Sequence, residues 1–265
     1  MQSFQANMNS ANSKRKYGVI FVSMAVLLYG VSCAKKPIEI GRENPELEIK
    51  KCIKYSDKKH FDEAIECLEI FKSRFPKSQW GIEAELMIGD NYFRQKEYLL
   101  AADSYQSFIK LHPIHQKTAY AYFKTGLSYL RHSPKAIDRD QEYIDDAIAN
   151  FQIVINSYPD GEYFELAKAN LLEARTKVAK RHFYIGRFYF KTGEYIASIP
   201  RFQEIADNYK DSGLAEKSLS NIALANLELK RLENAKVAFS RLASEYPQSK
   251  YISKIEKKLI SAVKK

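Results

Sequence analysis

A chain that repeats one short pattern five times has few ways to bury its apolar surface, and this 265-residue sequence does so. The pattern surfaces at the segments RFPKSQW, LHPIHQK, SYPDGEY, NYKDSGL and EYPQSKY. With Pro76, Pro113, Pro159, Lys210 and Pro247 as reference points, the residue twelve places earlier is Ala64, Ala101, Ala147, Ser198 or Ala235, small in every case. Twelve places earlier again lie Cys52, Gly89, Gly186 and Ala223, and Gly126 takes the same role once an insertion is allowed for. Three residues beyond these come Tyr55, Tyr92, Tyr129, Tyr189 and, in the last repeat, Asn226. Four residues beyond the second small position come Leu68, Tyr105, Phe151, Phe202 and Phe239.

The physical sense is helical. Two antiparallel helices approach closely only where glycine or alanine removes side-chain bulk, and aromatic rings fill the space beside the crossing. A proline then ends the second helix by pushing the preceding residue out of the α region. Ser78, Asp160, Asp211 or Gln248 can bond the turn or the start of the next helix. The small, aromatic, small, aromatic, proline order resembles the tetratricopeptide repeat. The expected fold is all-α, a solenoid of five helix-turn-helix repeats between about Pro45 and Ser261, with Gly89, Gly126 and Gly186 at close approaches. Spacing between turns is 37, 46, 51 and 37 residues, so the middle departs from a uniform array. One excess falls in RHSPKAIDRDQEYIDD, where Asp138 and Gln141 have the spacing of a capping box for the next helix. The other falls in EYFELAKANLLEARTKVAKRHFYIGRFYF, which has no proline and no glycine before Gly186 and reads as one long helix joining repeats 1–3 to repeats 4–5. Pro200 should delay or kink the second helix of repeat 4.

The N-terminus follows different rules. Lys14-Arg15-Lys16 precedes the apolar run Tyr17–Ser32, which as a helix would reach only about 24 Å, short of a bilayer span. Ser32 before Cys33 resembles a lipobox, although Gly30 and Val31 fit that pattern poorly. Residues 1–32 are therefore expected to be a lipoprotein signal peptide, Cys33 the lipidation site and sole membrane anchor, and 33–45 a solvated tether broken by Pro37, Gly41 and Pro45. An ordinary signal peptide or an uncleaved anchor are the other readings. Loss of the three leader cations lowers the formal net charge from +10 to +7. The exported leader argues against nucleic acid as the partner and leaves anionic headgroups or acidic polypeptide. Cys52 and Cys67 suit small buried positions and would also be free to pair in an oxidising compartment; the sequence leaves that open.

Catalytic chemistry is not legible. His112 and His115 flank Pro113 with no third ligand nearby, so both read as structural. Ser-x-x-Lys matches at Ser56, Ser107 and Ser261 lack companion motifs, and no nucleophile elbow, phosphate loop or zinc-protease pattern occurs. Asp138, Asp140, Asp145 and Asp146 read as solvated acids near a helix start rather than a Ca²⁺ site. No catalytic residue, metal or cofactor is expected beyond the covalent lipid on Cys33. Solenoids act through their surfaces. One turn past the first small position stand Phe93-Arg94, Leu130-Arg131 and Phe190-Lys191, apolar residue then cation, and these are the candidate groove for an extended client.

Four segments go beyond the generic repeat: LHPIHQKTAYAYFKTGLSY, DRDQ, YPDGEYFELA and GRFYFKTGEYIASIPRFQ. Together with the leader and the long middle helix, they resemble the BamD family, lipoproteins of the machinery that inserts β-barrels into the outer membrane. DRDQ is the most telling, because the repeat fold does not require it. His182, where an acid is expected, and Lys210, in place of a proline, are departures. The resemblance implies a scaffold on the periplasmic face of the outer membrane. Its N-terminal repeats (46–160) would receive the tail of unfolded outer-membrane proteins, and its C-terminal repeats (161–265) would dock a BamA-like insertase near Arg201, with accessory assembly lipoproteins as further partners. A repeat lipoprotein for pilus or cell-wall assembly is the alternative of the same class, and an enzyme the rival from another.

Overall fold

The computed structural model describes residues 37–263 apart from Asp138 and Asp140. The expected leader, Cys33 and part of the DRDQ segment lie outside the described residues. From Ile40 onward the chain forms one compact unit. It contains eleven α-helices among the described residues: α1 Pro45–Asp57, α2 Phe61–Arg74, α3 Gln79–Gln95, α4 Tyr98–Leu111, α5 Thr118–His132, α6 Ile144–Ser157, α7 Phe164–Lys191, α8 Tyr195–Asn208, α9 Ala215–Glu228, α10 Leu232–Glu245 and α11 Ile252–Val263. Each helix packs on its successor, and α1–α10 pair into the five expected helical hairpins.

Each small residue of the pattern is buried where two helices cross. Ala64, Ala101, Ala147, Ser198 and Ala235 are fully buried, as are Cys52 and Ala223. A Cβ placed on Gly89 would stand 2.8 Å from Tyr105 Cε1, one on Gly126 2.9 Å from Phe151 Cε1, and one on Gly186 2.9 Å from Phe202 Cε1. These rings are themselves fully buried, so none of them can swing away. The glycine of one helix and the aromatic of the next therefore form a matched pair in repeats 2, 3 and 4.

The hairpin ends are equally regular. Phe75, His112, Tyr158, Tyr209 and Tyr246 close the second helices with φ between −125° and −135° and ψ between 44° and 64°, and each donates its N–H to the carbonyl four residues back. Tyr209 adopts this geometry with Lys210 behind it, so proline is not required for it. Lys210 instead starts a 3₁₀ turn through Ser212 and pairs with Glu245 at 2.9 Å. Of the expected turn residues, Ser78 accepts a hydrogen bond from Gly81 N–H at 2.9 Å, while Asp211 is held by Arg175 at 2.6 Å. Between the two helices of a repeat, Lys59, Lys96 and Lys230 take positive φ of 62°, 69° and 59°, and Gly193 does so at 84°. All four lie seven residues past the first small position, a left-handed joint that the pattern conceals because lysine fills it three times.

The long helix forms as expected. Residues Ala167, Ala174 and Val178 of α7 join the core of repeat 3, and Ala179 and Phe183 join the core of repeats 4 and 5, so one rod serves both. Past the last repeat, α11 lays Ile255 and Leu259 on that second core and covers its open end.

Three expectations are corrected. The Asp138–Gln141 capping box does not start α6, which begins at Ile144 after Tyr143 and has no side-chain cap. Gln141 is buried and donates from Nε2 to the carbonyls of Pro134 and Ala136 at 3.3 Å, pinning the insertion from inside. Pro200 does not delay α8, which starts at Tyr195 and runs past it to Asn208. The folded unit also reaches into the expected tether: Ile40 is buried, Gly41 N–H donates to Glu48 Oε2 at 2.8 Å, and Asn44 caps α1.

Cys52 and Cys67 are joined in a disulfide between α1 and α2, with Cα atoms 5.3 Å apart, which settles the point the sequence left open. Removing it by Cys52→Ala with Cys67→Ala frees a loop of 15 residues in the unfolded chain, and stability should fall by about 3 kcal/mol on the chain-entropy account, read as a lower urea midpoint. Gly126→Leu drives a side chain into Phe151 and the Ala147 carbonyl, the latter 3.2 Å from a Cβ, and should cost about 1–3 kcal/mol. An unchanged thermal midpoint would show that the helices do not cross at Gly126.

Candidate binding surface

The six residues of the expected groove divide sharply by type. Leu130 is 2% exposed and belongs to the core of repeat 3, so it has almost no surface to offer. Phe93 is half-buried, lies edge-on to Tyr98 at 5.3 Å, and is covered by the Lys124 ammonium 3.8 Å from its ring centre. Phe190 is half-buried against the second core and edge-on to Tyr195 at 5.2 Å. The cations are exposed. Arg94 lies over the Phe61 ring at 4.8 Å, and Arg131 pairs with Glu173 at 2.8 Å, both partners being well exposed. Register places the apolar member inward and its neighbour outward, because consecutive helical residues point about 100° apart.

Beneath Phe93, the first helices of repeats 2 and 3 are joined by polar contacts that the sequence did not advertise. Asp90 accepts hydrogen bonds from the hydroxyls of Tyr105, at 2.6 Å, and Tyr120, and lies 3.7 Å from Lys124 Nζ. Burial, with the Asp90 charge, pushes both phenols far above the usual tyrosine range, so they remain donors. Burial also lowers the Lys124 pKa, against the pull of Asp90. The cluster fixes the spacing of the two repeats and keeps one positive charge on an aromatic face. Next to it lies a cavity of about 480 Å³ bordered by Glu83, Tyr120, Glu162 and Tyr163.

The histidines of LHPIHQK are used in packing. His112 Nε2 lies 3.1 Å from Glu85 and its ring tilts against Phe108, while His115 Nδ1 accepts from Lys117 N–H. His182 stacks on Tyr209, and burial holds its pKa below the ordinary histidine range, with Glu204 opposing and Arg201 and Arg181 reinforcing. Arg201 is exposed on α8, with its Cβ beside Gly186 at the crossing of α7 and α8. Its base is thus fixed by the crossing, and the residue is exposed.

Two open cavities follow α7. One, about 540 Å³, is bordered by Leu130, Arg131, Leu172, Glu173, Lys177 and Lys180. The other, about 460 Å³, has Phe183, Tyr184 and Phe188 as its bed and Lys180, Arg187 and Lys191 at its rim. Lys191 is the one expected groove residue that borders the second cavity, and Leu130 and Arg131 border the first; Phe93 and Arg94 border neither. The sequence reading missed Lys180, Tyr184, Arg187 and Phe188. Their signal was present: they recur at helical spacing on the one segment too long for a repeat. No group of ligating side chains fit for a metal ion occurs among the described residues.

Residues 50–236 match the model of the YfiO family, described as outer membrane lipoprotein, a span that includes the insertion and the long helix. The chain is 25% identical to the outer membrane protein assembly factor BamD of Caulobacter vibrioides, over 87% of this chain and 77% of that one. It is 30% identical to the BamD of Rickettsia prowazekii, over 74% of this chain and 78% of that one. Among solved structures it is similar to the TPR2AB domain of yeast Sti1 in its pHSP90 complex, with 15% identity, a TM-score of 0.41 and coverage of 83% and 84%. The match from α1 into α10, through the glycine and aromatic pairs of repeats 2, 3 and 4 and the long α7, shows that the chain belongs to the YfiO family of outer membrane lipoproteins, which includes the BamD assembly factors.

Proposed function

We propose that this chain is a non-enzymatic scaffold of the outer-membrane β-barrel assembly machinery, held at the periplasmic face by lipid on Cys33. Its repeats 1–3 receive the tails of unfolded barrel proteins, and its repeats 4–5 dock a BamA-like insertase through the face that carries Arg201. The observation that carries this reading is the family match over residues 50–236, which spans both halves of the solenoid. The surface is compatible with it. Arg94 and Arg131 stand outward near the ends of α3 and α5, where each can meet a client carboxylate, while Phe93 and Leu130 brace the helices that carry them. Phe190 and Lys191 repeat the arrangement at the end of α7. Binding of this kind is built from several weak charge contacts along an extended segment, so it should be salt-sensitive.

A peptide copying the aromatic-ended tail of a barrel protein should bind the chain, weaken as salt rises, and lose affinity when its terminal Phe is removed. Trp80, half-buried in the first turn of α3, supplies a fluorescence signal. Arg94→Glu with Arg131→Glu should weaken that peptide while shifting stability by no more than about 1 kcal/mol, since exposed ion pairs contribute little. Equal affinity in the folded double variant would sink the groove assignment. Separately, Cys33→Ala with the leader intact should leave the protein in the soluble periplasmic fraction; persistent sedimentation with membranes after a high-salt wash would rule out Cys33 as the sole anchor.

A further inference from the structure

Several arginines that tie one helix to another have a carboxylate partner. Arg131 has Glu173, Arg175 has Asp211, and Arg241 has both Asp207 and Glu245. The cations around the cavity on the C-terminal half of α7 differ from these arginines. Lys180, Arg187 and Lys191 rim it, and no acid lies within ion-pair reach of any of them among the described residues. Their floor is apolar and wet: Tyr184 is 52% and Phe188 58% exposed, with buried Phe183 beneath. Large aromatic side chains left in water beside a row of cations mark a contact surface.

The spacing of the charges selects the occupant. From Lys180 to Lys191 the helix advances about 16 Å, the length of roughly five residues of extended chain at about 3.3 Å each. Lys180 also borders the neighbouring cavity, whose floor includes Leu130 and Leu172, so the track continues toward the start of the helix. A lipid headgroup concentrates its charge at one point, whereas these cations stand apart on either side of an apolar floor. In an outer membrane lipoprotein, the anions within reach are lipids and polypeptides. We propose that this face of α7 is a second docking track, for an extended polypeptide segment in which carboxylates alternate with bulky apolar side chains. The apolar residues sit on Tyr184 and Phe188 and the carboxylates meet Lys180, Arg187 and Lys191. The track is distinct from Arg94 and from Arg201, and it stands on its own charge pattern whichever partner the assembly machinery supplies.

The test uses the full chain and a fluorescent peptide of about nine residues, the length of both cavities together, in which Glu alternates with Leu or Phe. Saturable anisotropy that weakens with salt is expected. Lys180→Glu with Arg187→Glu should lower affinity at least about tenfold, and Phe188→Ala should also lower it, with the thermal midpoint unchanged because all three residues are exposed. The inference is overturned if the Gln-for-Glu peptide binds as well, if the charge-reversed variant binds as tightly, or if phosphatidylglycerol vesicles bind and the peptide does not. The Arg94→Glu variant separates the two surfaces, because Arg94 borders neither cavity. If it loses the peptide while the α7 variant keeps it, the α7 track fails and the client groove survives; the opposite result leaves the α7 track standing.

Discussion

An aromatic ring laid on a glycine at a helix crossing holds this solenoid to a single geometry. Tyr105 on Gly89, Phe151 on Gly126 and Phe202 on Gly186 are contacts with no room for even a methyl group. Because each ring is fully buried and each glycine sits inside its helix, the contact fixes the distance of approach and the register of the two helices together. The remaining packing follows: once the helices cross there, the second small residue and the aromatic four places later face inward, and the closing residue of the second helix is carried to the surface turn.

The end repeats meet the same demand with other means. Repeat 1 has Cys52 and Leu68 in place of glycine and a ring, and a disulfide from Cys52 to Cys67 supplies a covalent link across the hairpin. Repeat 5 has Ala223 and a half-buried Phe239, and Asn226 stands where tyrosine is found elsewhere, donating back to the Ile222 carbonyl at 2.9 Å. Each end has lost a neighbour on one side, so it buries less and depends more on local devices. α11 and the Ile40 to Asn44 segment act as covers at the two ends.

The same architecture sorts charge from apolar surface. A rigid helix exposes some faces and buries others without regard to what function needs, so an apolar residue next to a cation in sequence ends on a different side of the rod. That is why Leu130 braces the core while Arg131 reaches Glu173 on α7. The excess length of α7 has the opposite result. Having two cores to serve, the helix keeps a face that neither covers, and there aromatics and cations remain together at the surface. Binding in a solenoid of this kind belongs to surface that the stacking leaves over.

The sequence alone determined the class, the five hairpins, their register and the long central helix, because spacing between small and bulky residues is a one-dimensional record of where helices touch. Counting alone puts Gly126 at a close approach, Phe151 among the inward-facing bulky residues, and turns at Pro76, Pro159 and Pro247. Tertiary structure decided what depends on direction rather than spacing. It turned Gln141 inward to tie a loop instead of capping α6. It gathered Tyr105, Tyr120 and Lys124 around Asp90, and joined two cysteines that suited burial either way. It also separated Phe93 and Leu130 from the cations beside them and left Tyr184 and Phe188 in water. Such outcomes depend on which neighbour arrives from a distant part of the chain, and local periodicity carries no information about that.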